Sequence, residues 1–284
     1  MKIVVLGVSG MLGSAVFEGL SSCEHFDVWG TVRSPTHISI KNRAKIVSGV
    51  DVLDSDSIDR LMATLLPTLV INCVGLIKQF AESNDPISVL PINSIFPHRL
   101  ARLCEKHSSR LIHVSTDCVF SGETGGYMEV DTSDAQDLYG KSKFIGEVTD
   151  SPSVLTIRTS IIGHGLTPNN SLVDWFLSQK GCVKGFSRAI FSGLPTCELA
   201  RIIANHIVPN ANLSGLFHVS ANPISKHDLL RLIAKVYELP IELEEDNTFV
   251  IDRSLNSDKF LAATGYNPPP WPVLIHSMKE SRHQ

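Results

Sequence analysis

The stretch KIVVLGVSGMLG, Lys2 to Gly13, decides the fold. Ile3 to Leu6 form an unbroken apolar run, the pattern of a strand buried on both faces. Three glycines follow at G-x-x-G-x-x-G spacing, and GMLGSAVFEGL (10–20) then repeats its apolar residues at helical period. Glycine lets the backbone turn sharply and lie close to a pyrophosphate, while the helix N-terminus offers free N–H groups and a positive dipole end. The spacing differs from G-x-G-x-x-G, and a bare strand-to-helix turn is the bland alternative. The place of the turn, after the first strand, favours a dinucleotide cradle built from Gly7, Ser9, Gly10, Met11, Leu12 and Gly13.

Outward from this unit the same alternation continues. Strand patterns at 26–32, 44–49, 68–75, 110–116 and 153–163 are interleaved with helical patterns at 55–66, 87–106 and 138–149. Apolar strands alternating with helices give a parallel sheet covered on both faces, an α/β Rossmann-type doubly wound fold. Past residue 163 the rhythm breaks into helical patterns at 169–179, 198–207 and 225–237, short strands within 182–193, an extended run at 239–252 and a proline-rich tail. The expected organisation is a dinucleotide-binding domain over 1–163 and a smaller mixed α/β substrate lobe over 164–284 that does not fold independently.

The 284 residues are 43% hydrophobic and 19% charged, with a formal net charge of −4, so no basic footprint for nucleic acid is expected. No apolar run approaches the ~20 residues that span a bilayer, so no membrane partner is expected. The strand pattern begins at once, leaving no room for a signal peptide. Six scattered cysteines without a C-x-x-C pair argue for a reducing compartment and against disulfides or zinc, and the 11 histidines lack metal-ligand spacing. The expectation is a cytoplasmic protein without a metal centre.

The second strand ends WGTVRS, with Thr31 and Arg33 and no carboxylate nearby. NAD sites place an acidic residue here for the ribose hydroxyls, whereas arginine suits the 2′-phosphate of NADP. NADPH is therefore the expected coenzyme, with NADH left open. Asp51 and Val52 after the third strand are candidates for the adenine, although Asp51 could equally cap the helix starting near Ser55. Cys73, Val74 and Gly75 close the fourth strand and complete the expected coenzyme wall.

The fifth strand ends STDCVFSG (115–122), and DLYGKSKFIGE (137–147) follows. Tyr139 and Lys143 are four apart, so a helix puts them on one face. By themselves they read equally as a polar surface stripe. Together with GVSGMLG, STDCVFSG, RTSIIG and the later NNSLVDWFLS and VKGFSRAIFSGLPTCELARII, they make the chain resemble the extended short-chain dehydrogenase/reductases. Within these it is most similar to the dTDP-4-dehydrorhamnose reductase group of sugar-nucleotide reductases, from Met1 to about Trp271.

The resemblance implies reduction of the 4-keto group of a nucleotide-linked 4-keto-6-deoxy sugar, in the supply of deoxysugars for polysaccharides. It implies Tyr139 as general acid, Lys143 as holder of the nicotinamide ribose and Thr116 as the hydroxyl that polarises the carbonyl. A phenol's pKa of ~10 is poorly matched to neutral pH, and the Lys143 ammonium is expected to lower it. Asn93 matches a family asparagine near the site, or is a helix cap. Cys118, Val119 and Phe120 are expected to line the sugar pocket. Lys184 and Arg188 are placed as in relatives that hold the diphosphate, and Asn170 and Trp175 are expected at the sugar or base. His98, His113 and His164 read as structural.

Thr116-Asp117-Cys118 lacks the glutamate of the 4,6-dehydratases, so dehydration is not expected. Epimerase/reductases pair a cysteine at this position with a histidine on a later helix. Here that position is Leu172, which leaves the pair incomplete. Two alternatives stay open: an epimerase/reductase, and an NADP-binding regulatory subunit of the kind found with methionine adenosyltransferase, since fold alone does not establish activity. A homodimer is also open.

Overall fold

The computed structural model describes residues 1–34, 43–78, 81–166 and 171–282. Its strands are β1 (Lys2–Leu6), β2 (Asp27–Val32), β3 (Ile46–Ser48), β4 (Leu69–Asn72), β5 (Arg110–Thr116), β6 (Val154–Thr159), β7 (Ile161–Ile162), β8 (Gly181–Phe186), β9 (Ala189–Phe191), β10 (Leu194–Pro195), β11 (Gly215–His218), β12 (Ile224–Ser225), β13 (Ile241–Asp246) and β14 (Ile251–Asp252). The helices are α1 (Met11–Ser21), α2 (Ser55–Leu65), α3 (Pro86–Leu90), α4 (Phe96–Lys106), α5 (Leu138–Ile145), α6 (Leu172–Leu177), α7 (Thr196–Ile202), α8 (Lys226–Val236), α9 (Asp258–Thr264) and α10 (Trp271–Ser281). A seven-stranded parallel sheet in the order β11-β6-β5-β4-β1-β2-β3 is the frame.

Alternation along β1 shows why that strand reads as apolar throughout. Ile3 and Val5 enter a core with Phe17, Leu199, Leu229 and Trp271, under α1, α7, α8 and α10. Val4 and Leu6 enter the opposite core with Ile58 and Leu100, under α2 and α4. Both faces are dry, so each residue is selected for burial.

The order reverses at β1, where β2 lies on one side and β4 on the other. The carboxyl ends of β1, β4 and β5 therefore open into a shared crevice, the usual ligand place in such sheets. β11 comes from the second segment yet pairs with β6, Phe217 opposite Ile157. We propose that residues 1–163 and 164–284 fold as one unit, because the main sheet is not complete without β11.

Three elements depart from the sequence pattern. The helix expected over 87–106 is α3, a π-helical turn at Pro91–Ile95 and then α4. Pro91 and Pro97 each lack the N–H that an unbroken α-ladder needs. The strand expected over 153–163 divides into β6 and β7. The proline-rich tail leads into α10, whose early Pro272 suits a helix start because the first N–H groups are unpaired there anyway. Among the described residues, no helix is long and apolar enough to cross a membrane.

Candidate active site

The crevice is built from the ends of β1, β4 and β5, with the end of β2 beside it. After β1, Gly7 takes φ +85, a conformation that costs other residues strain. A Cβ on Gly13 would stand 2.2 Å from the Gly7 carbonyl oxygen, so α1 approaches the turn as only glycine allows. Gly10 caps α1 with no side-chain hydrogen bond, and Ser9 and Gly10 are exposed, which leaves the first N–H groups of α1 without a side-chain cap. Met11 is half-buried at its rim, and Leu12 turns into the core.

After β2, Thr31 is buried and its carbonyl accepts the Val8 N–H at 3.1 Å, tying the glycine turn to β2. Arg33 is exposed just beyond the strand. Asp51 accepts the Leu53 N–H at 2.9 Å, while the cap of α2 is Asp54, which accepts from Asp56. The capping alternative for Asp51 thus fails. Val52 is half-buried.

After β4, Asn72 accepts the Val74 N–H at 3.1 Å and orders the Cys73–Val74–Gly75 segment. Lys143 Nζ lies 4.0 Å from the place of a Cβ on Gly75, so the ammonium borders this wall. These residues fit a nicotinamide dinucleotide. The helix end without a side-chain cap is the group that would meet a pyrophosphate, and Arg33 and Lys143 are the cations available at the two ends of the crevice.

After β5 the structure brings together the three residues expected to act. Thr116 accepts the Cys118 N–H at 3.1 Å and donates to Asp117 at 3.1 Å, and its hydroxyl acts on the Tyr139 phenol by lowering that group's pKa. Tyr139 and Lys143 share α5, capped by Asp137, which accepts the Gly140 N–H at 2.7 Å. Lys143 Nζ donates to the Val114 carbonyl at 2.9 Å.

The expected fall in the Tyr139 pKa is not found. Burial raises it well above the usual phenol value, Cys118 adds to the rise, and the Thr116 hydrogen bond opposes it. Lys143 directs its ammonium to the strand carbonyl, and burial pulls its own pKa down to about 8. Burial likewise pushes up Asp117, against hydrogen bonds from Cys118, Thr116 and Ser160 and the Arg253 charge.

Other expected contacts are corrected. Val119 and Phe120 are fully buried, not pocket-lining: they form a small cluster with Tyr127 and Leu255, and the Phe120 ring stacks on Tyr127 at 4.1 Å. Asn93 is neither cap nor exposed ligand. It is buried in the π-turn, donating to the Leu76 carbonyl at 3.0 Å and to Ser142 at 3.1 Å and accepting the Leu76 N–H at 2.9 Å. It clasps the loop after β4 to α5. Cys118 is half-buried, and burial with the Asp117 charge pushes its thiol up to about 12.

Lys184, Arg188 and Trp175 are exposed, and Asn170 lies outside the described residues. The Arg188 carbonyl accepts the N–H of Ile251, at 3.1 Å, and Ile251 lines a cavity of about 470 Å³ that Arg188 itself does not line. That cavity is lined by Ser121, Gly122, Gln136, Asp137, Ile251 and Arg253 among others, and Lys184 and Trp175 do not line it.

Arg253 was not found from the sequence. It donates to the Phe120 carbonyl at 2.8 Å and lies 3.8 Å from the Cys118 sulfur. A cation ending the extended run after 239 was the available signal.

A doubly wound sheet with a glycine turn and a Thr–Tyr–Lys set at its carboxyl edge defines a short-chain dehydrogenase/reductase, an oxidoreductase class. Comparison with known proteins narrows this. The chain belongs to the RmlD substrate binding domain family, which matches residues 1–271. It is 33% identical over 233 residues to a probable low-salt glycan biosynthesis reductase, Agl14, of Haloferax volcanii, covering 78% of this chain and 75% of that one. It is 26% identical over 254 residues to methionine adenosyltransferase 2 subunit beta of Danio rerio, covering 84% and 75%. The structure of dTDP-4-dehydrorhamnose reductase from Bacillus anthracis in complex with NADP superposes with a TM-score of 0.81 at 19% identity, covering 99% of each chain. This last likeness speaks for the fold.

Proposed function

We propose that the protein reduces, with NADPH, the 4-keto group of a nucleotide-linked 4-keto-6-deoxy sugar, in the cytoplasm. The observation that carries this reading is the Tyr139 and Lys143 pair on α5, fastened by the Val114 carbonyl to the end of β5 two residues before Thr116, with the Lys143 ammonium at the Gly75 wall. The family membership and the glycan biosynthesis reductase of Haloferax volcanii support it. Reduced nicotinamide supplies hydride to C4 when bound. Thr116 hydrogen-bonds the carbonyl oxygen and fixes its place. Tyr139, kept protonated by its buried position, gives its proton to that oxygen as it becomes an alkoxide, a far stronger base. Lys143 holds the ribose and favours the phenolate that remains. Arg253, at the cavity beside Cys118, is placed to hold an anionic part of the substrate.

Cys118 argues against epimerisation. A thiol pushed up to about 12 is protonated at neutral pH and cannot serve as base, and Leu172 offers no acid. A second reading has a specific support: the likeness to methionine adenosyltransferase 2 subunit beta makes a coenzyme-binding regulatory subunit the rival. The test is oxidation of NADPH, followed by its absorbance, with dTDP- and UDP-linked 4-keto-6-deoxy sugars offered separately. Oxidation with one of them is expected. Coenzyme binding without turnover on either would overturn the reductase reading in favour of the subunit.

A further inference from the structure

Two contacts fasten α5 to the end of β5, at consecutive residues. Lys143 Nζ donates to the Val114 carbonyl at 2.9 Å, and Ser115 donates to Glu147 Oε1 at 2.7 Å. Thr116 is the next residue. Glu147 stands just past α5, and Arg158 on β6 grips it with two hydrogen bonds of 2.8 Å. The two side chains are only 3% and 2% exposed. Arg158 Nη1 lies 3.3 Å from His218 Nε2 on β11. A guanidinium only donates, so Nε2 accepts, and Nδ1–H donates to the Tyr127 carbonyl at 3.0 Å. Burying both ions offsets much of their attraction, so stability alone gives a weak reason for the pair.

The groups around Lys143 single out the carboxylate. Cys73 faces it from the end of β4, and burial pushes that thiol up to about 12. His113 faces it from β5. Burial first, then the Lys143 and His98 charges, hold this imidazole well below its usual value, so it is neutral. Tyr139 lies one turn back on α5 with its phenol raised. Among the described residues, Glu147 is the carboxylate acting on Lys143.

We propose that Glu147 is a positioning residue of the active site: through Ser115 it sets α5, which carries Tyr139 and Lys143, against the end of β5 next to Thr116, and as the anion facing Lys143 it keeps that ammonium charged in a buried place. The proposal rests on the reductase reading for what Tyr139, Thr116 and Lys143 do. Burial draws Lys143 to about 8, and Glu147 opposes that fall. Without the carboxylate, neutral lysine would form within the working range of the enzyme.

The test is the titration of Lys143 by NMR in protein carrying carbon-13 lysine, using the signal that Lys143→Arg removes. It needs no substrate. A wild-type midpoint near 8 is expected. Glu147→Gln keeps the volume and an acceptor for Ser115 but strands Arg158, so Glu147→Gln/Arg158→Met is made beside it. Both are expected to titrate about one pH unit lower, and the alkaline limb of kcat to move with them. Glu147→Asp keeps the charge, so its midpoint is expected near that of wild type, with kcat partly restored. A midpoint unmoved in the double variant, or lowered as much in Glu147→Asp as in Glu147→Gln, overturns the proposal. A moving midpoint in a protein that turns over no keto sugar leaves Glu147 in this role and sinks the reductase reading instead.

Discussion

Arg253 Nε donates to the carbonyl of Phe120 at 2.8 Å across 133 positions of sequence. This contact carries a cation from the second lobe to the turn that follows Thr116, beside Cys118. Arg253 also lines the cavity of about 470 Å³. Charge-assisted hydrogen bonds contribute about 1.5–3 kcal/mol, so Arg253→Met is expected to raise KM for the sugar nucleotide roughly 10- to 100-fold. Coenzyme affinity is expected to stay the same. Lysine lacks the planar fork and is not expected to rescue. Steady-state kinetics with a parallel coenzyme titration decide this, and an unchanged KM would remove Arg253 from substrate binding.

Tyr139→Phe removes one oxygen and keeps the ring. No group at that place then gives a proton. General acid catalysis contributes about 10²- to 10⁴-fold, and kcat is expected to fall in that range. NADPH binding should hardly move, because Lys143 still takes the Val114 carbonyl. Turnover at the wild-type rate would show that another group is the acid.

Arg33→Ala tests the choice of coenzyme. The side chain is exposed beyond β2 and forms no ion pair among the described residues. Loss of a charge-assisted contact to the 2′-phosphate should weaken NADPH roughly 10- to 100-fold. NADH has no such phosphate and should be nearly unaffected. Equal losses for both coenzymes would defeat the assignment.

The frame and the shared helix of Tyr139 and Lys143 were legible because both are local. Apolar runs and glycine spacing report strands buried on two faces, and Tyr139 and Lys143 lie one helical turn apart. Beyond Thr116 the chain enters a short 3₁₀ turn over Asp117–Val119, where no period tells inside from outside. Val119 and Phe120 were for that reason misread as pocket residues. Arg253 and the Glu147–Arg158–His218 chain depend on contacts between distant segments, which no spacing encodes. β11 was hidden likewise: its four residues lie within the second lobe and meet β6 only in the folded sheet.

His218 makes stability depend on pH. Burial first, then the Arg158 charge, lower its pKa from 6.5 to about 4. The folded protein thus resists a proton that the unfolded chain accepts between these values. Stability from this group is full above 6.5 and is lost as pH falls toward 4, by about 3 kcal/mol in all. His218→Gln can accept from Arg158 and donate to the Tyr127 carbonyl without titrating. Urea unfolding should therefore show a steeper acid loss in wild type than in this variant. Parallel curves would mean that the imidazole is not held neutral.

Gly10 and Gly13 separate the needs of the fold from those of the ligand. A Cβ at position 13 meets the Gly7 carbonyl oxygen at 2.2 Å and the Gly7 carbonyl carbon at 2.7 Å, both backbone atoms. Gly13→Ala must push α1 from β1, and a loss of about 1–3 kcal/mol or more is expected on heating or in urea. At position 10 a Cβ meets only the Gly7 oxygen, at 3.4 Å, and φ −90 with ψ 160 suits alanine. Gly10→Ala should therefore fold almost as well as wild type. It should still bind NADPH at least about tenfold more weakly, because the methyl group occupies the space through which the pyrophosphate reaches the N–H groups of α1. Wild-type coenzyme affinity in that variant would move the diphosphate away from the helix end. The second glycine, Gly10, would then have to be explained by the turn alone.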